Sequence, residues 1–329
     1  MTIQITIIGT GRIGTSIGLA LAGETEQLTR VGHDRVPAYA NQAQKMGAFD
    51  KTPLNLHTAV QDADIIVLAI PVDEIYETMR QIADDLKAET VVIDTSASKS
   101  NASTWAAELL SEKVDFLTMA LTLNPEHLLD GKTGFESAQA DLFQKSLAVI
   151  SSPRKTSEAA LTLTTNLAVL LGSRPFFVDE AEYEGLYAAS GLLPQINAAA
   201  LVLTTTGRAG WQEGRKIAGQ AYALGTQPLL LMDDREKLGA SFMMNRENLI
   251  RLIDNQIQGL HIVRAALENR DEEKLAELMK TVKDAHDDWW MARSRAEWNT
   301  DPSSADIPSM GDHLKHWIGI NPKKKKKKD

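Results

Sequence analysis

Residues 3–22 read IQITIIGTGRIGTSIGLALA. The stretch Thr2–Ile8 is apolar and rich in β-branched residues, which predicts a strand, and it runs straight into Gly9. Gly9-Thr10-Gly11-Arg12-Ile13-Gly14 is a G-x-G-x-x-G pattern, and Ile13–Ala22 continues with small residues and helical composition. A strand, a glycine turn and a helix in that order make the phosphate-holding turn of a dinucleotide site. Gly9 permits the tight turn. Gly11 removes the Cβ that would block a pyrophosphate, and Gly14 lets the helix pack close to the sheet. The N–H groups of Arg12–Gly14 begin the helix unpaired, so they and the helix dipole face the phosphates.

Asp34 falls twenty positions after Gly14, at the end of a second strand read at Val31–Asp34. It is placed to accept hydrogen bonds from the adenosine ribose hydroxyls, and its charge, which would repel a 2′-phosphate, argues for NAD. Arg35 beside it could instead pair with such a phosphate, which leaves NADP open. Ala69-Ile70-Pro71 closes the continuous apolar run Ala63–Ile70 and by fold logic lies beneath the ribose and nicotinamide. Pro71 also suits the first turn of a helix over Val72–Ala83.

Outward from there, strands and helices alternate. Helices are read at Pro37–Met46 and Lys99–Leu110, and strands at Thr90–Asp94, Phe116–Leu121 and Leu147–Ile150. That alternation implies right-handed crossovers and a doubly wound, Rossmann-like parallel sheet. After a strand-like Phe176–Val178 the pattern turns helical, with candidates at Ala181–Thr206, Trp211–Leu224, Arg246–Leu267 and Glu272–Arg295. The reading is therefore an α/β dinucleotide-binding domain over residues 1–178, an all-α domain for substrate and dimerisation over 179–300, and a C-terminal extension over 301–329 that ends in a self-repelling lysine run, Lys323–Lys328.

The chain has 329 residues, 43% hydrophobic and 24% charged, which is ordinary globular composition. Its formal net charge is −9, and six of its cations are the terminal lysines, so the body is more acidic still. A broad basic face for nucleic acid is excluded on that balance. There is no cysteine, hence no disulfide framework, thiolate metal site or cysteine nucleophile. No uninterrupted apolar run reaches the ~18 residues of a membrane span. A cytoplasmic protein without a membrane partner is the expectation.

IIGTGRIGTSIGLAL, GHDR, AIPVDEI, VVIDTSASK and GKTGFESAQADLFQKSLAVI together resemble the prephenate/arogenate dehydrogenase family of tyrosine biosynthesis. LLPQ, GRKIA and NRENLIRLID extend the likeness loosely into the helical half. The resemblance implies a homodimer and hydride transfer from a cyclohexadienyl carboxylate to NAD(P)+ with loss of CO2. It also implies where this chain departs. The family's histidine in a His-Pro pair falls on Asn124-Pro125, and an amide can hold a hydroxyl but cannot take its proton. The serine of an Asp-x-x-Ser-x-Lys pattern falls on Ala97, flanked by Ser96 and Ser98. Ser96, Ser98 and Asn124 would line the nicotinamide side, Arg215 in GRKIA, or Lys216 beside it, would grip the substrate carboxylate, and His127 is the alternative base. Lys99 would either orient the site or cap a helix face. Loss of catalysis, leaving a dinucleotide or metabolite sensor, and oxidation of another small carboxylate both fit the same departures. The other histidines show no metal spacing; His313 and His316 beside Asp312 come nearest, and no metal is expected. Trp289-Trp290, Trp298 and Trp317 suit a helical core or subunit interface.

Overall fold

The computed structural model describes residues 2–24, 28–96, 98–132, 134–153, 155–231 and 239–298. Within them the first half runs β1 (Ile3–Ile8), α1 (Arg12–Ala20), β2 (Leu28–His33), α2 (Pro37–Lys45), α3 (Leu56–Val60), β3 (Ile65–Leu68), α4 (Val72–Ile82), β4 (Val91–Asp94), α5 (Lys99–Leu109), β5 (Asp115–Leu121), β6 (Ser146–Ser151), α6 (Glu158–Leu170) and β7 (Ser173–Phe177). These strands form one sheet in the order β2-β1-β3-β4-β5-β6-β7. All four residues of β3 and of β4 are buried, as a strand covered on both faces requires. Ile65 and Val67 pack on the face under α1 and α6, with Ile17 and Leu167. Ile66 and Leu68 pack on the opposite face, with Ile75 and Met79 of α4 and Ala102 of α5. The period-two alternation of one continuous apolar strand thus feeds two cores.

The sheet is not wholly parallel, as the alternation had predicted. β5 and β6 pair antiparallel, Thr118 opposite Ser151 and Leu121 opposite Ala148. Among its described residues their connection holds short 3-10 turns, at Pro125–His127 and Phe135–Ser137, and no crossover helix, and the chain returns in the reverse direction. Helix α6 was also not foreseen. Its start is marked by Ser157, whose hydroxyl accepts from the Ala160 amide, but its threonines and Val169 weaken the helical reading.

The second half is helical: α7 (Glu180–Tyr187), a π turn at Ala188–Leu192, α8 (Leu193–Thr206), α9 (Trp211–Ile217), α10 (Gln220–Thr226), α11 (Ala240–Met244), α12 (Arg246–Glu268) and α13 (Glu272–Arg295). The helix expected over Trp211–Leu224 breaks at Ala218-Gly219, where both residues are extended. From Glu180 to Thr206 the chain is helical for 27 residues, long and apolar enough by composition to cross a membrane, with 17% of its most apolar window buried. The helix expected over Ala181–Thr206 is thus present, and Ser190, Gln195 and Asn197 interrupt its apolar run without ending it. Large apolar side chains on this half stand in solvent, among them Leu203, Ile217 and Leu260.

Candidate functional site

The chain leaves β1 to one side for β2 and returns to the other for β3. That reversal opens a crevice beyond the carboxyl ends of the strands, where open α/β sheets bind ligands. A cleft of about 1270 Å³ lies there. Gly9, Gly11, Arg12, Ile13, Asp34 and Arg35 line it, as do Ala69, Ile70 and Pro71. Thr10 and Gly14 are buried directly behind.

The three glycines serve different ends. Gly9 has φ +93°, and a Cβ on it would lie 2.3 Å from the Ala69 carbonyl oxygen. A Cβ on Gly14 would lie 1.9 Å from the Gly9 carbonyl oxygen. Both are demanded by the fold. A Cβ on Gly11 would meet nothing within 4 Å. Packing does not require glycine there; a side chain would take up only room in the cleft. The residues therefore fit a group that must approach the backbone at Gly11, as a pyrophosphate does.

Asp34 does more than face the cleft. Its Oδ2 accepts from the Thr10 amide at 2.9 Å and the Thr10 hydroxyl at 3.0 Å, and its Oδ1 accepts from the Val36 amide at 2.9 Å. One carboxylate thus ties the glycine turn to the end of β2. The Arg12 side chain turns from the phosphate position toward the β5–β6 connection. It donates to Asp130 Oδ2 at 2.9 Å and to the Lys132 carbonyl at 2.6 Å. Arg35 is ion-paired to Glu74 in the first turn of α4. Glu74 and Lys132 both line the cleft, and the sequence reading passed over both. Glu74 had a signal, three residues beyond Pro71 where a helix begins beneath the ribose; Lys132 had none.

The residues expected at the chemical end are elsewhere engaged. Asn124 is 2% exposed; its Oδ1 accepts from the Glu126 amide and its Nδ2 donates to the Asp141 carbonyl at 3.1 Å. A buried amide must satisfy both ends, and here it does so by capping its own turn. Ser96 is buried and donates to Asp94 at 2.8 Å. Ser98 is buried and donates to Glu184 at 3.3 Å. His127 lies between Asp141, 3.0 Å from its Nε2, and Asp130, 3.7 Å from its Nδ1. None of the four lines the cleft; their neighbours Thr95 and Leu123 do. Arg215 stands exposed on α9, away from the cleft wall. Ala97, His313, His316, Trp317 and the lysine run lie outside the described residues. Among the described residues no cluster of three or more His, Asp or Glu side chains is suited to a metal ion.

Beside the cleft the two halves meet over a buried charged cluster. Lys99 is fully buried, with its Nζ 3.8 Å from Asp94, 2.5 Å from the Ser96 carbonyl and 5.4 Å from the Tyr183 ring centre. Burial lowers the Lys99 ammonium and raises the Asp94 carboxyl from their ordinary values, and each opposes the other's shift by charge. From α7, Glu184 accepts from the Ser100 amide at 3.0 Å, so it satisfies the start of α5. Glu180 reaches Ser103, and burial raises its carboxyl. Tyr183 stacks on Tyr187, and burial pushes both phenols up.

Comparison with known proteins agrees with this architecture. Residues 17–175 match the model for the prephenate dehydrogenase nucleotide-binding domain, a match that begins beyond the glycine turn. Prephenate dehydrogenase of Bacillus subtilis is 24% identical over 300 residues, covering 86% of this chain and 75% of that protein. Cyclohexadienyl dehydrogenase of Zymomonas mobilis is 22% identical over 287 residues, covering 86% of this chain and 94% of that one. The crystal structure of the A. aeolicus prephenate dehydrogenase, in complex with hydroxyphenyl propionate and NAD+, shares the fold with a TM-score of 0.76 at 20% identity, over 88% of this chain and 98% of that one. Residues 17–175 thus belong with the prephenate dehydrogenase nucleotide-binding domains, and the chain is similar to prephenate and cyclohexadienyl dehydrogenases over 86% of its length.

Proposed function

We propose that this chain is an NAD-dependent dehydrogenase of the prephenate/arogenate type, oxidising a cyclohexadienyl carboxylate with loss of CO2. The observation that carries the cofactor part is Gly11, a glycine that packing does not need and a diphosphate does. The amides at the start of α1 would hold the diphosphate, Asp34 the adenosine ribose, and Ala69-Ile70-Pro71 the floor. When bound, NAD+ supplies the electron-poor nicotinamide carbon that accepts hydride. The substrate's hydroxyl-bearing carbon gives up that hydride, and the bond to the ring carboxylate breaks as the ring becomes aromatic. Thr95 and Leu123 wall the end of the cleft where this occurs. With Asn124 bonded into its turn and His127 held between Asp141 and Asp130, neither acts as the base on the hydroxyl, and turnover is slower by the ~10²–10⁴-fold of a missing general base. The exposed apolar side chains of α8, α9 and α12 support a homodimer through the helical half.

A second reading has its own observation. With Asn124 spent on its turn and Arg215 away from the cleft, the chain is a dinucleotide-binding relative whose chemistry has been lost or redirected. One experiment separates the two. Purified protein is titrated with NADH and then assayed for NADH formation from NAD+ with prephenate and with arogenate. Turnover with either supports the dehydrogenase. NADH binding without turnover on either substrate transfers the case to the second reading.

A further inference from the structure

The adenosine end of the cleft is walled by carboxylates. Asp34 stands just beyond β2, and Asp73, Glu74 and Glu77 come from the first turns of α4. Among the described residues Arg35 lies beside them, and its Nη1 is paired to Glu74 Oε1. The Glu74 side chain is 19% exposed and that of Arg35 69%, so the acid is seated on the wall and the arginine reaches in from solvent to meet it. Glu77 is hydrogen-bonded by Arg80, which pulls its carboxyl down to about 2, so its charge is present at neutral pH.

A 2′-phosphate brings nearly two negative charges and is held by a guanidinium fork where a site accepts it. Here one arm of the fork is already held by Glu74. Resting on the reading that this cleft holds a nicotinamide dinucleotide, we propose that Glu74 sets which dinucleotide enters, by occupying Arg35 and by placing its own charge where a 2′-phosphate would lie. An exposed ion pair is weak by itself. The discrimination comes from both consequences together: the phosphate must break the pair and then sit beside the released carboxylate. A 2′-hydroxyl has no such conflict, and Asp34 can accept from it.

The test uses NADH and NADPH, which differ by the 2′-phosphate alone, titrated into the full chain. The unaltered protein binds NADH at least about tenfold more tightly than NADPH. Glu74→Gln tightens NADPH about tenfold and leaves NADH within about twofold. Adding Arg35→Gln to that variant reduces the gain, because the released guanidinium is part of what the phosphate uses. Arg35→Gln alone removes a cation and leaves the Glu74 carboxylate, so it lowers NADPH binding relative to NADH. Glu74→Gln is checked for folding by circular dichroism, and Arg35→Gln, at an exposed side chain, is the second probe. An unchanged ratio in folded Glu74→Gln overturns the proposal, as does tighter NADPH binding in Arg35→Gln alone or a native preference for NADPH. If the unaltered protein binds neither nucleotide, the dinucleotide reading itself falls, and this inference with it.

Discussion

The amide and the hydroxyl of Thr10 donate to the same oxygen of Asp34, across 24 positions of sequence. The residue proposed to hold the ribose is thereby the residue that holds the glycine turn in shape. Asp34→Ala removes acceptors for the Thr10 amide and hydroxyl and for the Val36 amide. It is expected to cost about 1–3 kcal/mol of stability and to weaken NADH binding by tenfold or more. Asp34→Asn keeps one good acceptor and should retain most of the stability. Denaturant unfolding and NADH titration check both. Full NADH affinity in Asp34→Ala would detach the carboxylate from the site.

Gly11 and Gly14 give a sharper contrast, because the fold needs one and the ligand the other. Gly14→Ala forces a Cβ to 1.9 Å from the Gly9 carbonyl oxygen, so α1 must move off the sheet, and a loss of several kcal/mol is expected. Gly11→Ala meets nothing within 4 Å and should leave stability within about 1 kcal/mol while lowering dinucleotide affinity tenfold or more. Melting temperature and NADH titration, measured on the same two variants, decide it. Unaltered NADH binding by Gly11→Ala would remove the main support for the cofactor proposal.

The seam between the two halves should respond to pH through Glu180. Burial raises its carboxyl above the ordinary glutamate value, and the nearby Glu184 pushes the same way, while the Ser103 hydrogen bond and Lys99 oppose. A group raised on folding contributes stability that is fully present below its unfolded value and is lost as pH rises through its folded value. That contribution should therefore fade as pH climbs past about 4.5. Glu180→Gln keeps an acceptor for Ser103 without the charge. Relative to the parent, it should gain melting temperature progressively from that pH toward neutrality. Parallel melting curves from pH 4 to 8 would show that Glu180 does not titrate in this range.

What the sequence revealed was local, and what it hid was long-range. The strand, glycine turn, helix and Asp34 lie within one βαβ unit, so composition and spacing place them. The continuous apolar run at Ala63–Ile70 likewise declares a strand buried on both faces. The antiparallel return of β6 depended on a connection whose irregular turns carry no periodicity. At the site, Arg12 is spent on Asp130, 118 positions away, and Asn124 on the carbonyl of Asp141. Residue type announces that such side chains want partners; only the fold supplies which partners they find.

Asn124 offers the most direct test of the chemistry. Its Oδ1 caps the Glu126 amide and its Nδ2 holds the Asp141 carbonyl, so Asn124→Ala is expected to cost about 1–2 kcal/mol through the cap alone. Asn124→His asks a different question. An imidazole turned toward the cleft gives up both turn contacts, so a stability loss like that of Asn124→Ala is expected, while a proton acceptor enters beside Leu123 on the cleft wall. If the chain is a slow dehydrogenase of the prephenate/arogenate type, the substitution should raise NADH formation with prephenate or arogenate by about 10²-fold or more, and the gain should appear as the imidazole deprotonates above its pKa near 6.5. If turnover is absent from the parent and appears only in Asn124→His, the parent has left that reaction and the repurposed reading holds. If a folded, NADH-binding Asn124→His variant gains nothing on either substrate, position 124 does not face the reacting carbon, and the base must be sought on another element of the seam.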